Sequence, residues 1–307
     1  MKKHFAVLGA GSVGCLWTAK LCQAGIMPTL ILRPQRYKQL GQRVATISIN
    51  NVDGSCFDYR VNLATSQTIK SAVDILIVCT KAQDTESAVE SVQHALHAES
   101  IILLLQNGMG SQQAIASLLP LQPVWVGSMT GGAYLQAPFD VRHAGNRVTW
   151  IGKFSGIKSP AEAIFLDSLK KLQLDIQVTS DIEQMLWNKL GINCCINGLT
   201  AFYSCRNGEL LDNGQRQQHL HRLIAETQQA LDCLDKGKSY SLIKEVESVC
   251  KMTAQNISST YHDVLMGRTT ELACINGFLI QAVSAWSLEL KEHIQLLSSL
   301  QKRGIEI

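Results

Sequence analysis

The stretch that most constrains the fold runs from Phe5 to Gly14 and reads Phe-Ala-Val-Leu-Gly-Ala-Gly-Ser-Val-Gly. The apolar run Phe5 to Leu8 predicts a buried strand, and the glycines after it have the G-x-G-x-x-G spacing. Apolar residues at helical spacing from Val13 to Ala24 then predict a helix. Because this loop follows a strand and opens a helix, we expect a dinucleotide-binding site rather than an ordinary glycine turn.

Each glycine of this loop has its own physical function. Gly9 permits the tight turn, Gly11 lets the backbone approach a pyrophosphate, and Gly14 lets the helix pack closely on the strand. Phosphates would bind the free N–H groups at the positive end of the helix. The residues that we expect to contact the cofactor here are Gly9, Ala10, Gly11, Ser12, Val13 and Gly14.

The second predicted strand, Pro28 to Leu32, indicates which dinucleotide binds. An NAD site needs an Asp or Glu near the end of this strand to bind the ribose 2′-hydroxyl. This chain has no acid there; it has Arg33, with Arg36 and Lys38 close behind. A guanidinium binds a 2′-phosphate through charge-assisted hydrogen bonds, so we predict NADP(H) as the cofactor. A solvated basic loop is the alternative.

The composition is that of an ordinary globular protein long enough for two domains. The chain has 307 residues, of which 46% are hydrophobic and 17% charged. Its formal net charge of +3 is small and its basic residues are scattered, so we expect no nucleic-acid or membrane partner. Its ten cysteines lack metal-site spacing and several lie in apolar segments. They predict buried thiols, no metal site and a cytoplasmic location.

Two further buried strands end at polar residues. Val73 to Thr80 is followed by Lys81, and Ile101 to Leu105 is followed by Asn107 in a glycine-rich turn. Ligands of doubly wound sheets bind at the carboxyl ends of strands, so both residues are candidates for cofactor contacts. From position alone, a solvated lysine and a simple turn are equally good explanations.

Strands and helices alternate through the first half, which predicts a mostly parallel, doubly wound sheet of the Rossmann type. The remaining predicted elements are strands at Val44 to Ile49 and Cys56 to Val61 around a turn at Asn51 to Gly54, a strand at Asp175 to Val178, helices at Asp84 to His97 and Ser159 to Leu172, and a hairpin of Phe139 to Ala144 with Arg147 to Ile151. The glycines within Val124 to Tyr134 indicate backbone that runs close to a ligand. From Asp181 onward helical patterns dominate, so we place a domain boundary near residue 180.

The helical half contains a row of polar residues in an apolar segment. Lys189, Asn193 and Asn197 are spaced i, i+4, i+8, which places them along one face of a helix. A lysine and two amides among apolar residues are costly unless something pairs with them. We therefore expect this face to line a cleft; a solvent-facing polar stripe is the alternative. Glu271 and Asn276 interrupt a later apolar stretch, where each alone is typical of a cap or a surface residue.

The order of these motifs resembles the ketopantoate reductase (2-dehydropantoate 2-reductase) family. The matching motifs are Gly9-Ala-Gly-Ser-Val-Gly14, Lys81-Ala82, Asn107-Gly-Met-Gly110, Lys189-Leu-Gly-Ile-Asn193 with Ile196-Asn197, Asn207-Gly-Glu-Leu210, Asn256-Ile-Ser-Ser259 and Thr270-Glu271 with Ile275-Asn-Gly277. The resemblance implies NADPH-dependent reduction of 2-dehydropantoate to (R)-pantoate, a step of pantothenate synthesis. It also implies an NADP-binding Rossmann domain (1–180), an all-α 6-phosphogluconate-dehydrogenase-like domain carrying the substrate and catalytic residues (181–307), and an active site between them.

The resemblance also implies roles for individual residues. It makes Lys189 the general acid, with Glu271 beside the reacting centre and the cofactor. Asn107 corresponds to a contact shared by nicotinamide and substrate. The other implied substrate contacts are Asn193, Asn197, Asn207 and Ser259, and the implied cofactor contacts outside the glycine loop are Lys81, Ala133, Glu271 and, at the 2′-phosphate, Arg33.

Several positions depart from the family pattern and leave substrate preference open. Gly198 stands where a proline commonly follows the second Asn, so the helix end could be looser; Ala273 replaces an acid; Gly131 and Gly132 replace bulkier residues. A related NADP-dependent 2-keto- or 3-hydroxyacid dehydrogenase is therefore a second hypothesis. A non-catalytic NADP(H)-sensing protein is a third, against which the retained Lys189 argues. The sequence is compatible with a monomer or a homodimer.

Overall fold

The computed structural model describes residues 3–70, 72–143, 145, 148–212, 214–237 and 241–307. The chain divides into two compact units. The first comprises Met1–Gln106 and Ser111–Ile182, and the second comprises Asn107–Gly110 and Glu183–Ile307. The loop Asn107–Gly110 thus belongs to the second unit, although it comes only three residues after Leu104, the last residue of a strand of the first.

The first unit is an α/β unit built on one mixed sheet. Its strands within the described residues are β1 (Phe5–Leu8), β2 (Thr29–Ile31), β3 (Val44–Asn50), β4 (Cys56–Ala64), β5 (Val73–Val78), β6 (Leu96–Leu104), β7 (Val124–Met129), β8 (Ala133–Ala137), β9 (Asp140–His143), β10 (Thr149–Ser155) and β11 (Ile176–Val178). Its helices are α1 (Ser12–Gln23), α2 (Pro34–Leu40), α3 (Thr85–Val92), α4 (Ser111–Leu118) and α5 (Ala161–Lys170). The strand order is β11-β10-β7-β6-β5-β1-β2-β4-β3-β9-β8.

The centre of this sheet is parallel and buried. Strand β1 pairs in parallel with β2 on one side and with β5 on the other. All four residues of β1 are buried, as expected for a strand covered by helices on both faces. The strand order reverses at β1, and the glycine loop follows directly at its carboxyl end. This topological switch point is where doubly wound sheets bind ligands, so the predicted Rossmann-type fold class is confirmed.

The antiparallel part of the sheet differs from the prediction in one respect. Strands β3 and β4 form the predicted hairpin, with Gly54 at φ +83° in its turn. The predicted hairpin from Phe139 to Ile151 is wrong, because β9 pairs with β3 and β8 whereas β10 pairs with β7 and β11. In the turn predicted there, Gly145-Asn146, Asn146 lies outside the described residues, as do the flanking Ala144 and Arg147. Both strands exist as predicted, but β9 forms a hairpin with the preceding strand β8, and β10 pairs with the more distant β7.

Two local features of the α/β unit go beyond the sequence-based expectations. The segment after β2, where a solvated basic loop was the alternative to a phosphate site, is the helix α2; Pro34 occupies its first turn and Gly41 ends it at φ +63°. The helix predicted from Asp84 to His97 is shorter, because β6 already begins at Leu96.

The second unit is helical apart from connecting segments. Its helices within the described residues are α6 (Ile182–Tyr203), α7 (Glu209–Asp212), α8 (Gly214–Cys233), α9 (Leu242–Met252), α10 (Ser259–Leu265), α11 (Phe278–Ala282) and α12 (Lys291–Lys302), with a π-helical segment at Ala273–Gly277. In the part of the chain that the structure describes, no helix has both the length and the apolar character needed to cross a bilayer.

Helix α6 is held by close packing at its two glycines. A Cβ on Gly191 would lie 3.1 Å from a methyl of Leu231, and one on Gly198 would lie 3.0 Å from a methyl of Leu296. The expectation that Gly198 loosens this helix is wrong, since α6 continues beyond it to Tyr203. The missing side chain lets a neighbouring leucine approach the helix instead.

Alanine substitutions in the glycine loop should destabilise the protein at a close-packed glycine but not at an open one. A Cβ at Gly14 would lie 1.9 Å from the carbonyl oxygen of Gly9, whereas one at Gly11 meets nothing within 4 Å. We expect Gly14→Ala to cost about 1–3 kcal/mol or more, because backbone must shift. This lowers the thermal unfolding midpoint by several degrees, while Gly11→Ala leaves it near wild type. Equal midpoints for the two variants would contradict this packing argument.

Candidate active site

The glycine loop forms a cradle whose open side is at Gly11. Gly9 has φ +104°, and a Cβ there would lie 3.0 Å from the carbonyl oxygen of Cys79. Gly9 and Gly14 are therefore required by the protein itself, whereas a Cβ at Gly11 would point into open space. Because no protein atom lies close to Gly11 and it has no side chain, a phosphate group can approach the backbone there.

The first turn of α1 adds N–H groups to this cradle. The helix begins at Ser12, and its N-cap Gly11 offers no side chain to bind those groups. N–H groups in a first helical turn have no intrahelical acceptor and carry the positive end of the helix dipole. Ala10 is buried beside them, and Val13 packs on the hydrophobic core. The backbone of this segment thus fits a dinucleotide pyrophosphate.

Two arginines follow β2 and have different surroundings. The side chain of Arg33 is 78% exposed and its Nη2 lies 2.6 Å from Oδ2 of Asp84. Arg36 is partly buried, donates a hydrogen bond from Nη1 to the carbonyl oxygen of Ala10 (3.1 Å), and lies over the ring of Phe139. Basic charge is therefore present where an NAD-type acid would otherwise stand.

The other predicted cofactor contacts of the α/β unit lie at the ends of strands. Lys81 comes three residues after β5, and its carbonyl oxygen accepts a hydrogen bond from the Thr85 hydroxyl at 2.9 Å. Ala133 is the first residue of β8 and pairs with His143 of β9. Gly132, which departs from the family pattern, precedes it and is exposed. The cofactor contacts of Lys81 and Ala133 stay predictions.

Helix α6 carries the three polar residues predicted to share a face. Lys189, Asn193 and Asn197 follow one another at a rise of about 6 Å per four residues. Lys189 and Asn193 are partly buried, and Asn197 is buried. Burial lowers the pKa of Lys189 from 10.5 to about 8, and the negative charge of Glu271 opposes that shift. An ammonium with a pKa near neutrality can give up a proton readily.

The loop Asn107–Gly110 packs on the segment that carries Glu271. The N–H of Met109 donates to the carbonyl oxygen of Cys274 at 2.9 Å, and the N–H of Cys274 donates to that of Glu271 at 3.0 Å. Gly108 has φ +82°, and a Cβ there would lie 2.6 Å from the Cys274 carbonyl oxygen. Asn107 is therefore held next to the backbone that also carries Glu271.

A buried polar network fixes the π-helical segment after Glu271. Nδ2 of Asn276 donates to the carbonyl oxygen of Cys194 on α6 (2.8 Å) and to Nδ1 of His293 on α12 (2.9 Å). Nε2 of His293 lies 2.9 Å from the hydroxyl of Thr227 on α8. Burial lowers the pKa of His293 to about 4, so its ring is neutral at pH 7. Asn276 is thus a structural residue, and π-helical turns of this kind are frequent near functional sites.

The last two predicted substrate residues differ in exposure. Asn207 is buried, with Nδ2 donating to the Thr253 hydroxyl at 2.9 Å and with Oδ1 unpaired among the described residues. Ser259 begins α10 and is exposed, whereas its neighbour Ser258 caps that helix and bonds the hydroxyl of Thr200. Their substrate contacts stay predictions.

Sequence reasoning did not find the groups that support the candidate residues. Asp84, Phe139 and Cys274 act through pairing and packing with partners distant in the chain, which no local pattern reveals. Ala273, another departure from the family pattern, is exposed on the π-helical segment. The sequence did place Arg36 near Arg33 after β2, but it did not show that Arg36 contacts Ala10 and Phe139.

A Rossmann sheet with a glycine loop that fits a pyrophosphate is joined in this chain to a helical unit carrying Lys189, a lysine whose pKa is lowered by burial. These two features define the class of nicotinamide-dependent oxidoreductases. Family models described as "Ketopantoate reductase PanE/ApbA" and "Ketopantoate reductase PanE/ApbA C terminal" match residues 5–156 and 181–303. The chain belongs to the ketopantoate reductase PanE/ApbA family.

Individual relatives agree over nearly the full length. The chain is 30% identical over 300 residues to a 2-dehydropantoate 2-reductase of Yersinia pestis, covering 97% of this chain and 94% of the relative. A crystal structure of a probable 2-dehydropantoate 2-reductase from Bacillus subtilis is 27% identical, with a TM-score of 0.76 and coverage of 97% and 99%. A ternary structure of D-mandelate dehydrogenase with NADH and anilino(oxo)acetate shares the fold, with a TM-score of 0.87, 20% identity and coverage of 98% of both chains.

The pKa of Lys189 can be measured directly from the pH dependence of its acetylation by acetic anhydride, read by mass spectrometry. We expect a midpoint near 8 in the wild type, because burial disfavours the charged amine. Glu271→Gln should lower the midpoint further, since it removes the charge that raises it. A midpoint near 10.5, or one that Glu271→Gln does not change, would contradict this assignment.

Proposed function

We propose that this protein catalyses the NADPH-dependent reduction of 2-dehydropantoate (ketopantoate) to (R)-pantoate in pantothenate biosynthesis. The observation that carries the proposal is Lys189, a partly buried lysine with a pKa of about 8 on the same helical face as Asn193 and Asn197. The membership of the chain in the ketopantoate reductase family supports the same reaction.

The proposed role of Lys189 is that of a general acid. The chemistry supplied by bound NADPH is hydride donation to the ketone carbon of the substrate. Negative charge then develops on the ketone oxygen, where the ammonium of Lys189 stabilises it and transfers a proton to form the alcohol. The neutral amine regains its proton from solvent, and the carboxylate of Glu271 favours that charged form.

The neighbouring polar residues suit the rest of the substrate. Asn193, Asn197, Asn207 and Ser259 can hydrogen-bond a hydroxyl and a carboxylate without adding a second cation that would compete with Lys189. Asn107 would contribute an amide shared by the substrate and the nicotinamide. In this proposal residues 1–180 bind the cofactor and residues 181–307 supply the acid and most substrate contacts.

The preference for NADP(H) over NAD(H) is also proposed. Its support is the absence of an acid after β2 and the presence of Arg33 and Arg36 there. A 2′-phosphate would gain charge-assisted hydrogen bonds at this position, and an Asp or Glu would repel it. Lys81 and Ala133 complete the proposed cofactor contacts. We further propose a cytoplasmic enzyme, since ten cysteines remain free thiols, acting as a monomer or homodimer.

Replacing the acid tests the reaction most simply. We expect Lys189→Ala to lower kcat by about 10²–10⁴-fold, the usual contribution of general acid catalysis. Lys244→Ala, which removes an exposed lysine of the same unit, is the matched control and should keep wild-type kcat. Turnover is followed by the loss of NADPH absorbance after ketopantoate is added. Near wild-type turnover in Lys189→Ala would refute the role of this lysine.

Asn193 and Ser259 should affect substrate binding as well as turnover. We expect Asn193→Ala and Ser259→Ala each to raise KM for ketopantoate about 5- to 20-fold, in line with the loss of one or two hydrogen bonds. Steady-state kinetics at saturating NADPH measure this, with the exposed Asn256→Ala as a neighbouring control. An unchanged KM in both variants would remove these residues from the substrate site.

The alternative substrate class is tested in the same assay. Gly131, Gly132 and Ala273 depart from the family pattern and leave the substrate preference open, so several keto acids should be compared as substrates. The proposal expects a higher kcat/KM for ketopantoate than for 2-ketoisovalerate or 2-ketobutyrate. A preference for either of these would assign the chain to a related 2-keto-acid dehydrogenase activity.

A further inference from the structure

We propose that Arg36, rather than Arg33, is the main residue that recognises the 2′-phosphate of the cofactor in this chain. The inference deepens the proposed use of NADP(H) and rests on it. It assigns the specificity to a guanidinium that the α/β unit already holds in place.

Arg36 is held at two points beside the glycine loop. Its guanidinium carbon lies 4.9 Å from the centroid of the Phe139 ring, and its Nη1 donates to the carbonyl oxygen of Ala10 at 3.1 Å. The same oxygen is 3.7 Å from Sγ of Cys15, a second donor that fixes its orientation. A guanidinium has five N–H donors, and the bond to Ala10 uses one of them. The group is thus oriented before any ligand binds.

Phe139 occupies a backbone conformation that is unusual for a bulky residue. Its φ is +65°, in the left-handed region that bulky residues rarely adopt, and the residue is only 6% exposed. The N–H of Ser48 donates to its carbonyl oxygen at 2.9 Å, which anchors the strained residue to the neighbouring strand. Strain of this kind collects at ligand sites, and here it places an aromatic ring against Arg36.

Arg33 is less suited to the same task. Its side chain is 78% exposed, and its Nη2 is paired with Oδ2 of Asp84 at 2.6 Å. A phosphate bound there must compete with this carboxylate and must also order a long solvated side chain. Binding at Arg36 requires neither change, since ring packing and the Ala10 bond already restrict its rotamers.

Calorimetry with nucleotide fragments tests the inference without turnover. The probes are 2′,5′-ADP and 5′-AMP, which share adenine and ribose and differ by the 2′-phosphate. We expect Arg36→Gln to reduce the selectivity for 2′,5′-ADP over 5′-AMP about tenfold or more, the loss of one or two charge-assisted hydrogen bonds. Lys38→Gln removes the same charge from an exposed position two residues away and should change this ratio less than about twofold.

Two further variants test whether the position of the group matters. Arg36→Lys keeps the charge but loses the planar fork, so the selectivity should fall between those of wild type and Arg36→Gln. Phe139→Leu removes the ring beneath Arg36 and should lower selectivity in the same direction. Retained binding of 5′-AMP shows that each variant is folded.

The inference is overturned if Arg36→Gln keeps wild-type selectivity, or if Lys38→Gln loses as much. Either result leaves the proposed function intact, provided that wild type still oxidises NADPH when ketopantoate is added. Failure of the proposed function would appear differently, as no keto-acid reduction by wild type despite normal selectivity for 2′,5′-ADP.

Discussion

The constraint on which the helical unit depends is a charge kept in an apolar helix. Helix α6 buries leucines and cysteines on most of its surface, yet it carries Lys189 in a partly buried position. Burial disfavours the charged ammonium and lowers its pKa, whereas the negative charge of Glu271 favours the ammonium and raises its pKa. The net result is a pKa of about 8. A lysine at either extreme, fully solvated or fully neutral, would be a weaker proton donor at physiological pH.

The surrounding packing serves to keep that balance in place. Gly191 and Gly198 let neighbouring leucines approach α6 closely, while Asn276 ties the segment after Glu271 to the backbone of α6. The neutral, buried His293 completes this connection without adding a competing charge. The loop that begins at Asn107 belongs to the same unit, so an amide, a carboxylate and an ammonium are supported by one set of helices.

Much of the fold could be predicted from the sequence, because its signals are local. The glycine spacing, the apolar strands and the i, i+4, i+8 row on α6 each depend on residues close in the chain. Strand partners could be predicted only in part: β3 and β4 form the predicted hairpin, whereas β9 and β10 look like a hairpin in sequence and pair elsewhere in the sheet. The surroundings of Arg33 and Arg36 could not be predicted either, since Asp84 and Phe139 reach them from distant segments.

The pH profile of kcat/KM for ketopantoate reduction by the wild-type enzyme tests the central claim most directly, because this ratio reports groups of the free enzyme. With a lysine of pKa about 8 as the acid, kcat/KM should be level at lower pH and fall as pH rises through about 8. The residual activity of Lys189→Ala should lack that decline. A wild-type profile that stays level from pH 7 to about pH 10, or a decline that survives in Lys189→Ala, would contradict the account.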